Sequence, residues 1–348
     1  MSRKQFQIIC LLAIISLSFT LFNKGPKPKR LKIPSNFPAP TYDLSKNPIT
    51  EEGFALGRKL FYDVNISKDS SISCASCHQQ SSAFIQADHD LSHGVDDRIG
   101  KRNALPVFNA LFRKSFFWDG GVPKLDFVPV NPIENELEMD EKMDNVVKKI
   151  NTSTTYRSLF KNAFGTDTIA SEHILKAYAQ FMNGMISANS KYDKYIRKEG
   201  VQLTKDELVG LQIFTQKCSS CHPAPLFTDD SFRNNGLSND NVDDKGREDI
   251  TLNSMDRGKF KVPSLRNVAL TGPYMHDGRF YELEEVLDHY SNKVRKSNTL
   301  DPILNNSNKL GIALTLLEKK KIIVFLKTLT DYSLINDPQF SNPKNSKR

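Results

Sequence analysis

Two five-residue stretches constrain this chain more than any other feature: Cys74-Ala75-Ser76-Cys77-His78 and Cys218-Ser219-Ser220-Cys221-His222. Each reads C-x-x-C-H, the attachment sequence of c-type haem. The spacing follows from the chemistry: two thiols add to the two vinyl groups of the porphyrin, and the adjacent histidine is carried beneath the ring to give a proximal nitrogen to iron. A redox-active C-x-x-C needs no following histidine, and a zinc site would usually want its ligand pairs closer together. A local disulfide would leave the repeated histidine unexplained. The sequence therefore predicts two covalently bound haem c groups, held by Cys74, Cys77, Cys218 and Cys221, with His78 and His222 as proximal iron ligands. The fifth cysteine, Cys10, sits in an apolar run and is read as a passive apolar residue.

The segments leading into the motifs also match. Gly57-Arg58-Lys59-Leu60-Phe61 precedes the first and Gly210-Leu211-Gln212-Ile213-Phe214 the second, each placing an apolar pair three and four residues after a glycine. Thr204-x-x-Glu207 forms a capping box that opens the second of these helices. A late helix opens with Thr315-x-x-Glu318 and presents Ile322, Phe325, Leu326 and Leu329 on one face, closing the second unit. No long alternating strand pattern occurs. The expected fold is mainly α, with two cytochrome c-like haem domains in tandem and long loops.

The chain has 348 residues, with 48 Lys+Arg against 40 Asp+Glu, a formal +8. Residues 1–30 hold six of the basic residues and no acid, and the remaining 42 basic and 40 acidic residues leave the body near neutral. That removes any strong case for nucleic-acid binding. Arg3 and Lys4 precede an apolar run from Ile8 to Phe22, which reads as an export signal, with an uncleaved N-terminal anchor as the alternative. Export to the periplasm agrees with haem attachment outside the cytoplasm. The expected organisation is 1–24 signal or anchor, 25–44 exposed linker, 45–200 N-terminal haem domain, 201–335 C-terminal haem domain and 336–348 polar tail.

Two haems alone would make an electron carrier; an enzyme needs an open iron site and a group to manage protons. Between the motifs lie His93-Gly94-Val95, Arg102-Asn103-Ala104, Phe117-Trp118-Asp119-Gly120, and Pro132-Ile133-Glu134-Asn135 running to Leu137-Glu138-Met139. After the second motif come Pro263-Ser264-Leu265-Arg266-Asn267 and Thr271-Gly272-Pro273-Tyr274-Met275-His276-Asp277-Gly278. Over roughly residues 45–335 this set, in this order, resembles the bacterial di-haem cytochrome c peroxidases, the family that includes MauG.

The resemblance implies that the N-terminal haem is peroxidatic and the C-terminal haem transfers electrons. It implies that Glu138 is the distal carboxylate and that Trp118, the only tryptophan, lies between the haems as a relay. Asn103, Thr271 and Pro273 match a calcium site, so one calcium ion is expected beside the haems. The sixth ligand of the C-terminal haem falls on Tyr290, with Met275 and His289 as neighbouring alternatives; tyrosine there is the MauG-like choice. His93 lies where some members carry a loop histidine that closes the peroxidatic iron until the other haem is reduced, and His89 competes for that role. Where the family usually has glutamine, this chain has Val128.

The expected activity is reduction of hydrogen peroxide to water with electrons from a small cytochrome c or cupredoxin, entering at the C-terminal haem. The alternatives are a MauG-like oxidase of a protein or organic substrate, and a non-catalytic electron-transfer protein. The resemblance also implies a homodimer, which no surface pattern in the sequence marks.

Overall fold

The computed structural model describes residues 25–87, 89–237, 244–306 and 309–344. The expected export segment, residues 1–24, and Cys10 within it lie outside the described residues. The architecture is mainly helical: α1 (Glu51–Phe61), α2 (Met143–Thr152), α3 (Thr154–Phe164), α4 (Ser171–Gly184), α5 (Lys191–Ile196), α6 (Lys205–Lys217), α7 (Leu283–Asp288) and α8 (Leu316–Lys327) are joined by long loops and single helical turns. The strands are two-residue pieces. β1 (Phe232–Arg233) pairs antiparallel with β2 (Phe260–Lys261), and Asn305–Asn306 pairs with Lys309–Leu310.

The helices start where local chemistry says they should. Thr50 caps α1 by accepting the Gly53 N–H at 3.0 Å, with Glu51 and Glu52 in the first turn and Arg58 and Lys59 in the last. Both expected capping boxes form. The Thr204 N–H donates to Glu207 at 2.6 Å and the Thr315 N–H to Glu318 at 2.7 Å, with the reciprocal bonds at 3.3 and 3.2 Å.

Two cores result, and each is built around a pair of crossing helices. In the first, α1 crosses α4 so closely that a Cβ on Gly57 would stand 2.0 Å from the Ala177 carbonyl oxygen. In the second, α6 crosses α8, and a Cβ on Gly210 would stand 2.0 Å from the Lys321 carbonyl oxygen. The repeated glycine is therefore a contact residue, required by backbone approach. The apolar pair that follows each glycine enters the core: Leu60 and Phe61 are buried against Phe181, and Phe214 packs on Phe227 and Phe325. Ile322, Phe325, Leu326 and Leu329 are all buried in the second core, as their spacing predicts.

Three stretches make contacts that their composition does not announce. The stretch read as an exposed linker docks: the Lys29 N–H donates to the Ile49 carbonyl at 2.8 Å, and Phe37 packs edge-on against Phe112. The stretch read as a polar tail returns to the first core, where Phe340 is buried among Phe54, Phe84 and Phe181 and its carbonyl accepts the Tyr62 hydroxyl at 2.7 Å. Tyr192, placed by the sequence in the first domain, belongs to the second core. In each case scattered apolar side chains, Leu31, Phe37, Tyr42 and Leu44 in the first stretch and Phe340 in the second, pack onto a core, which composition averages conceal.

A fully buried ion pair stands beside the second core, next to Tyr192 and Leu265. Arg266 donates two bonds to Asp193, at 2.8 and 2.7 Å, and both side chains have no solvent exposure. Burial raises the Asp193 carboxyl, and the bonds from Arg266 and Ser190 more than reverse this, leaving it below the usual carboxylate range. Asp193→Asn is expected to destabilise the holo-protein by about 3–5 kcal/mol, because it leaves the guanidinium buried without a counter-charge. Denaturant unfolding followed by circular dichroism checks this, and a loss below about 1 kcal/mol would contradict it.

Candidate haem sites and the wall between them

Each C-x-x-C-H motif forms a tight turn closed by its own backbone. The His78 N–H donates to the Cys74 carbonyl at 2.9 Å and the His222 N–H to the Cys218 carbonyl at 3.0 Å. The two imidazoles are then fixed alike, His78 Nδ1 bonding the Phe84 carbonyl at 2.9 Å and His222 Nδ1 the Phe227 carbonyl at 3.1 Å. A carbonyl can only accept, so Nδ1 carries the proton and Nε2 keeps a free lone pair. Burial holds both rings below the usual histidine pKa and hence neutral, the form that binds iron. Phe84 and Phe227 both adopt positive φ, 63° and 54°, to aim these carbonyls. The sequence reading did not single them out, although a phenylalanine five or six residues past each motif histidine was a repeat in plain view.

None of the four thiols forms a disulfide. Burial pushes Cys74 and Cys218 up to about 12 and Cys77 to about 11. Thiols so raised make poor redox thiolates, which argues against a thioredoxin-like role. Two thiols and a neutral imidazole nitrogen are the donor set that a covalently attached haem takes. The second motif presents all three to its cavity, and the first presents Cys77 and His78, with Cys74 behind them.

The cavities differ. The first, about 1100 Å³, is lined by Cys77, His78, Phe108, Val128 and Glu138. The second, about 200 Å³, is lined by Cys218, Cys221, His222, Met275 and Tyr290. Glu138 follows a helical turn (Val130–Glu134), and its carbonyl accepts the Val95 N–H at 2.8 Å. That contact needs Gly94, since a Cβ there would stand 2.3 Å from the Leu137 carbonyl oxygen. Burial pushes the Glu138 carboxyl pKa up, and the Asn135 amide, donating at 2.8 Å, offsets this only in part.

The structure places the other sequence-predicted residues unevenly. Tyr290 and Met275 both line the second cavity, whereas His289 does not; its Nε2 is within 3.0 Å of the Asn235 carbonyl. Burial pushes the Tyr290 phenol up to about 12, against the pull of Asn235. His93 lies outside the wall of the first cavity. Its ring packs on His89, centroids 4.2 Å apart, and only its carbonyl approaches the motif, 3.7 Å from Cys77 Sγ. Asn103, Thr271 and Pro273 all line the second cavity, and Asn103 borders the first as well.

Trp118 borders both cavities, as do Asn103, Leu105 and Pro263. Its indole donates to the Asn103 carbonyl at 2.9 Å, fixing the ring in the shared wall. Arg102 ties this wall together, bonding Asp119 on one loop and both oxygens of Asp244 on another. Lys261 also stands in both walls; a lone lysine carries no local pattern that marks burial.

Residues 51–201 match the model of a family described as di-haem cytochrome c peroxidase. The methylamine utilization protein MauG of Methylorubrum extorquens is 34% identical over 311 residues, covering 86% of this chain and 83% of that protein. Cytochrome c551 peroxidase of Nitrosomonas europaea is 34% identical over 292 residues, covering 83% and 81%. Among solved structures, a MauG-like protein associated with microbial copper homeostasis matches with a TM-score of 0.82 at 33% identity, covering 91% of this chain and 99% of that one.

Replacing Cys74 and Cys77 together by serine is expected to leave the second haem alone attached. Intact-protein mass would fall by one haem, and haem-stained denaturing gels would keep a weaker band. A variant that kept the full haem mass would contradict the assignment.

Proposed function

The chain belongs to the di-haem cytochrome c peroxidase family, and from that membership we propose that it reduces hydrogen peroxide to water with two electrons delivered singly by a small cytochrome c or a cupredoxin. It is an oxidoreductase, and its family implies two haem c groups. When bound, the haems supply the one-electron storage and the iron site at which peroxide is reduced.

The protein's own residues do the rest. Cys74, Cys77 and His78 would hold one haem; Cys218, Cys221 and His222 would hold the other, with Tyr290, or Met275 as the alternative, as a further iron ligand. The matched glycine crossings support reading each core as a cytochrome c module. The observation that carries the peroxidase reading is Glu138, a carboxylate with a raised pKa in the wall of the roomier cavity. As a base it takes a proton from one peroxide oxygen, and as an acid it returns it to the other, so that the departing oxygen leaves as water. Trp118, held in the shared wall, relays electrons between the cavities. Electrons enter at the C-terminal haem, and the N-terminal haem is the peroxidatic one.

A MauG-like oxidation of a protein or organic substrate is the second reading, and Tyr290 in the second cavity favours it. A phenolate oxygen stabilises ferric iron and lowers the potential, weakening the link to a cytochrome donor. A pure electron carrier fits less well, since it would have no use for Glu138. Val128 stands in the cavity wall where an amide would orient peroxide, and Glu138 with its Asn135 donor lines the same cavity. We further read Asn103, Thr271 and Pro273 as holding calcium through oxygen atoms. Export to the periplasm and a homodimer complete the proposal. Among the described residues no helix is long and apolar enough to cross a membrane.

Glu138→Gln is expected to cut peroxide turnover by at least ~100-fold, measured as peroxide-dependent oxidation of a reduced small cytochrome. In the parent protein the rate falls as pH drops through the raised Glu138 pKa, above the usual carboxylate range, because the base becomes protonated. The glutamine variant lacks that acid limb; an unchanged rate and profile would refute the role. Because His93 lies outside the cavity wall, the fully oxidised enzyme is expected to react with peroxide without prior half-reduction. Activity that appears only after half-reduction would instead make His93 a displaced ligand. Removing calcium with a chelator is expected to lower the rate, and added calcium to restore it.

A further inference from the structure

Lys261 ends β2 in the wall between the two cavities and is 5% exposed. Its N–H donates to the Trp118 carbonyl at 2.7 Å, so its backbone is tied to the indole's own residue. Its ammonium donates to the Ser115 carbonyl at 2.8 Å and stands 5.9 Å from the centre of the Phe116 ring. The charged groups around it are Arg113, Asp230 and Asp119. Both acids are committed elsewhere, Asp230 to Arg113 at 2.8 Å and Asp119 to Arg102. Among the described residues no carboxylate forms an ion pair with Lys261. Burial and the Arg113 charge push its pKa down to about 7, against the pull of Asp230 and Asp119.

The other cations in the two walls do not share this condition. Arg102 pairs with Asp119 and Asp244, Arg113 with Asp230, Lys217 with Glu318, and Arg233 with Asp229 and Asp301. Lys101 is exposed. Lys261 alone borders both cavities as a buried cation without a carboxylate. Burying an ammonium in this way is costly unless an anion joins it. The anion that a filled cavity brings is a propionate of the porphyrin.

We propose that Lys261 is the shared carboxylate-binding cation of the two haem sites, pairing with a porphyrin propionate beside Trp118 and raising the reduction potential of the haem it meets. The proposal rests on the reading that the cavities hold haem c. A fixed positive charge favours the reduced haem, which carries one positive charge fewer than the oxidised form. Lys261 thereby biases where an arriving electron rests on either side of the Trp118 wall. It acts as a positioning residue and touches no reacting atom of peroxide.

The test is a spectroelectrochemical titration of the holo-protein, with K261M and K261R beside the parent, after haem content has been read from absorption. K261M is expected to shift the reduction equilibrium of at least one haem about tenfold toward the oxidised form, about 59 mV for a one-electron couple. K261R keeps the charge and is expected to stay within about threefold of the parent. Unchanged potentials in a K261M protein carrying both haems would overturn the assignment alone. A parent protein without haem would overturn the cofactor reading and this assignment with it. Should K261M fail to accumulate, K261R decides by reduced-minus-oxidised infrared spectra. Ionised propionate bands displaced from those of the parent support the contact, and superimposable bands overturn it.

Discussion

Two helix crossings with no room for a side chain set the geometry of this molecule. Gly57 lets α1 meet the Ala177 carbonyl of α4, and Gly210 lets α6 meet the Lys321 carbonyl of α8. An added methyl at either glycine would lie 2.0 Å from a backbone oxygen, a distance that no rotamer change relieves. The crossings bring Phe61 onto Phe181 and Phe214 onto Phe325, and these rings back the two C-x-x-C-H turns. The turns then carry their histidines to carbonyls held by Phe84 and Phe227. A glycine, an aromatic stack and a backbone acceptor thus form one chain of dependence, used twice.

Buried charge fixes the packing beside the second core. Asp193 and Arg266 meet without solvent, and Asp331 is equally enclosed, accepting the Ala188 and Asn189 N–H groups at 2.8 and 2.9 Å. Such groups contribute little net stability, because desolvation offsets most of the attraction. They do penalise any arrangement that separates them. A single indole, anchored by Asn103, stands in the wall that the two cavities share, and each cavity draws lining residues from both halves of the chain.

The halves are alike in plan and unlike in chemistry. Beside His78 there is space and a carboxyl whose pKa is raised by burial; beside His222 the cavity is narrow and bordered by a phenol and a thioether. The difference lies in the side chains lining each cavity, while the glycine crossing, the C-x-x-C-H turn and the backbone acceptor are the same in both.

The two motifs and their closed turns were legible in the sequence because C-x-x-C-H is a local pattern of five adjacent residues. The helix starts at Thr204 and Thr315 and the buried face of α8 were legible for the same reason: capping and helical periodicity act over a few residues. The family resemblance located Glu138, Trp118 and Tyr290, yet could not say which side chains face which cavity. Only the tertiary structure turned His289 away from the cavity that Tyr290 and Met275 line, left the His93 ring against His89, and folded Phe340 back onto the first core. The burial of Lys261 was likewise invisible, because a buried charge is defined by what surrounds it in space. The sequence by itself determined the two C-x-x-C-H motifs and the local helix signals around them; the tertiary structure decided which side chains line the cavities beside those motifs, since burial, pairing and cavity shape arise between residues far apart in the chain.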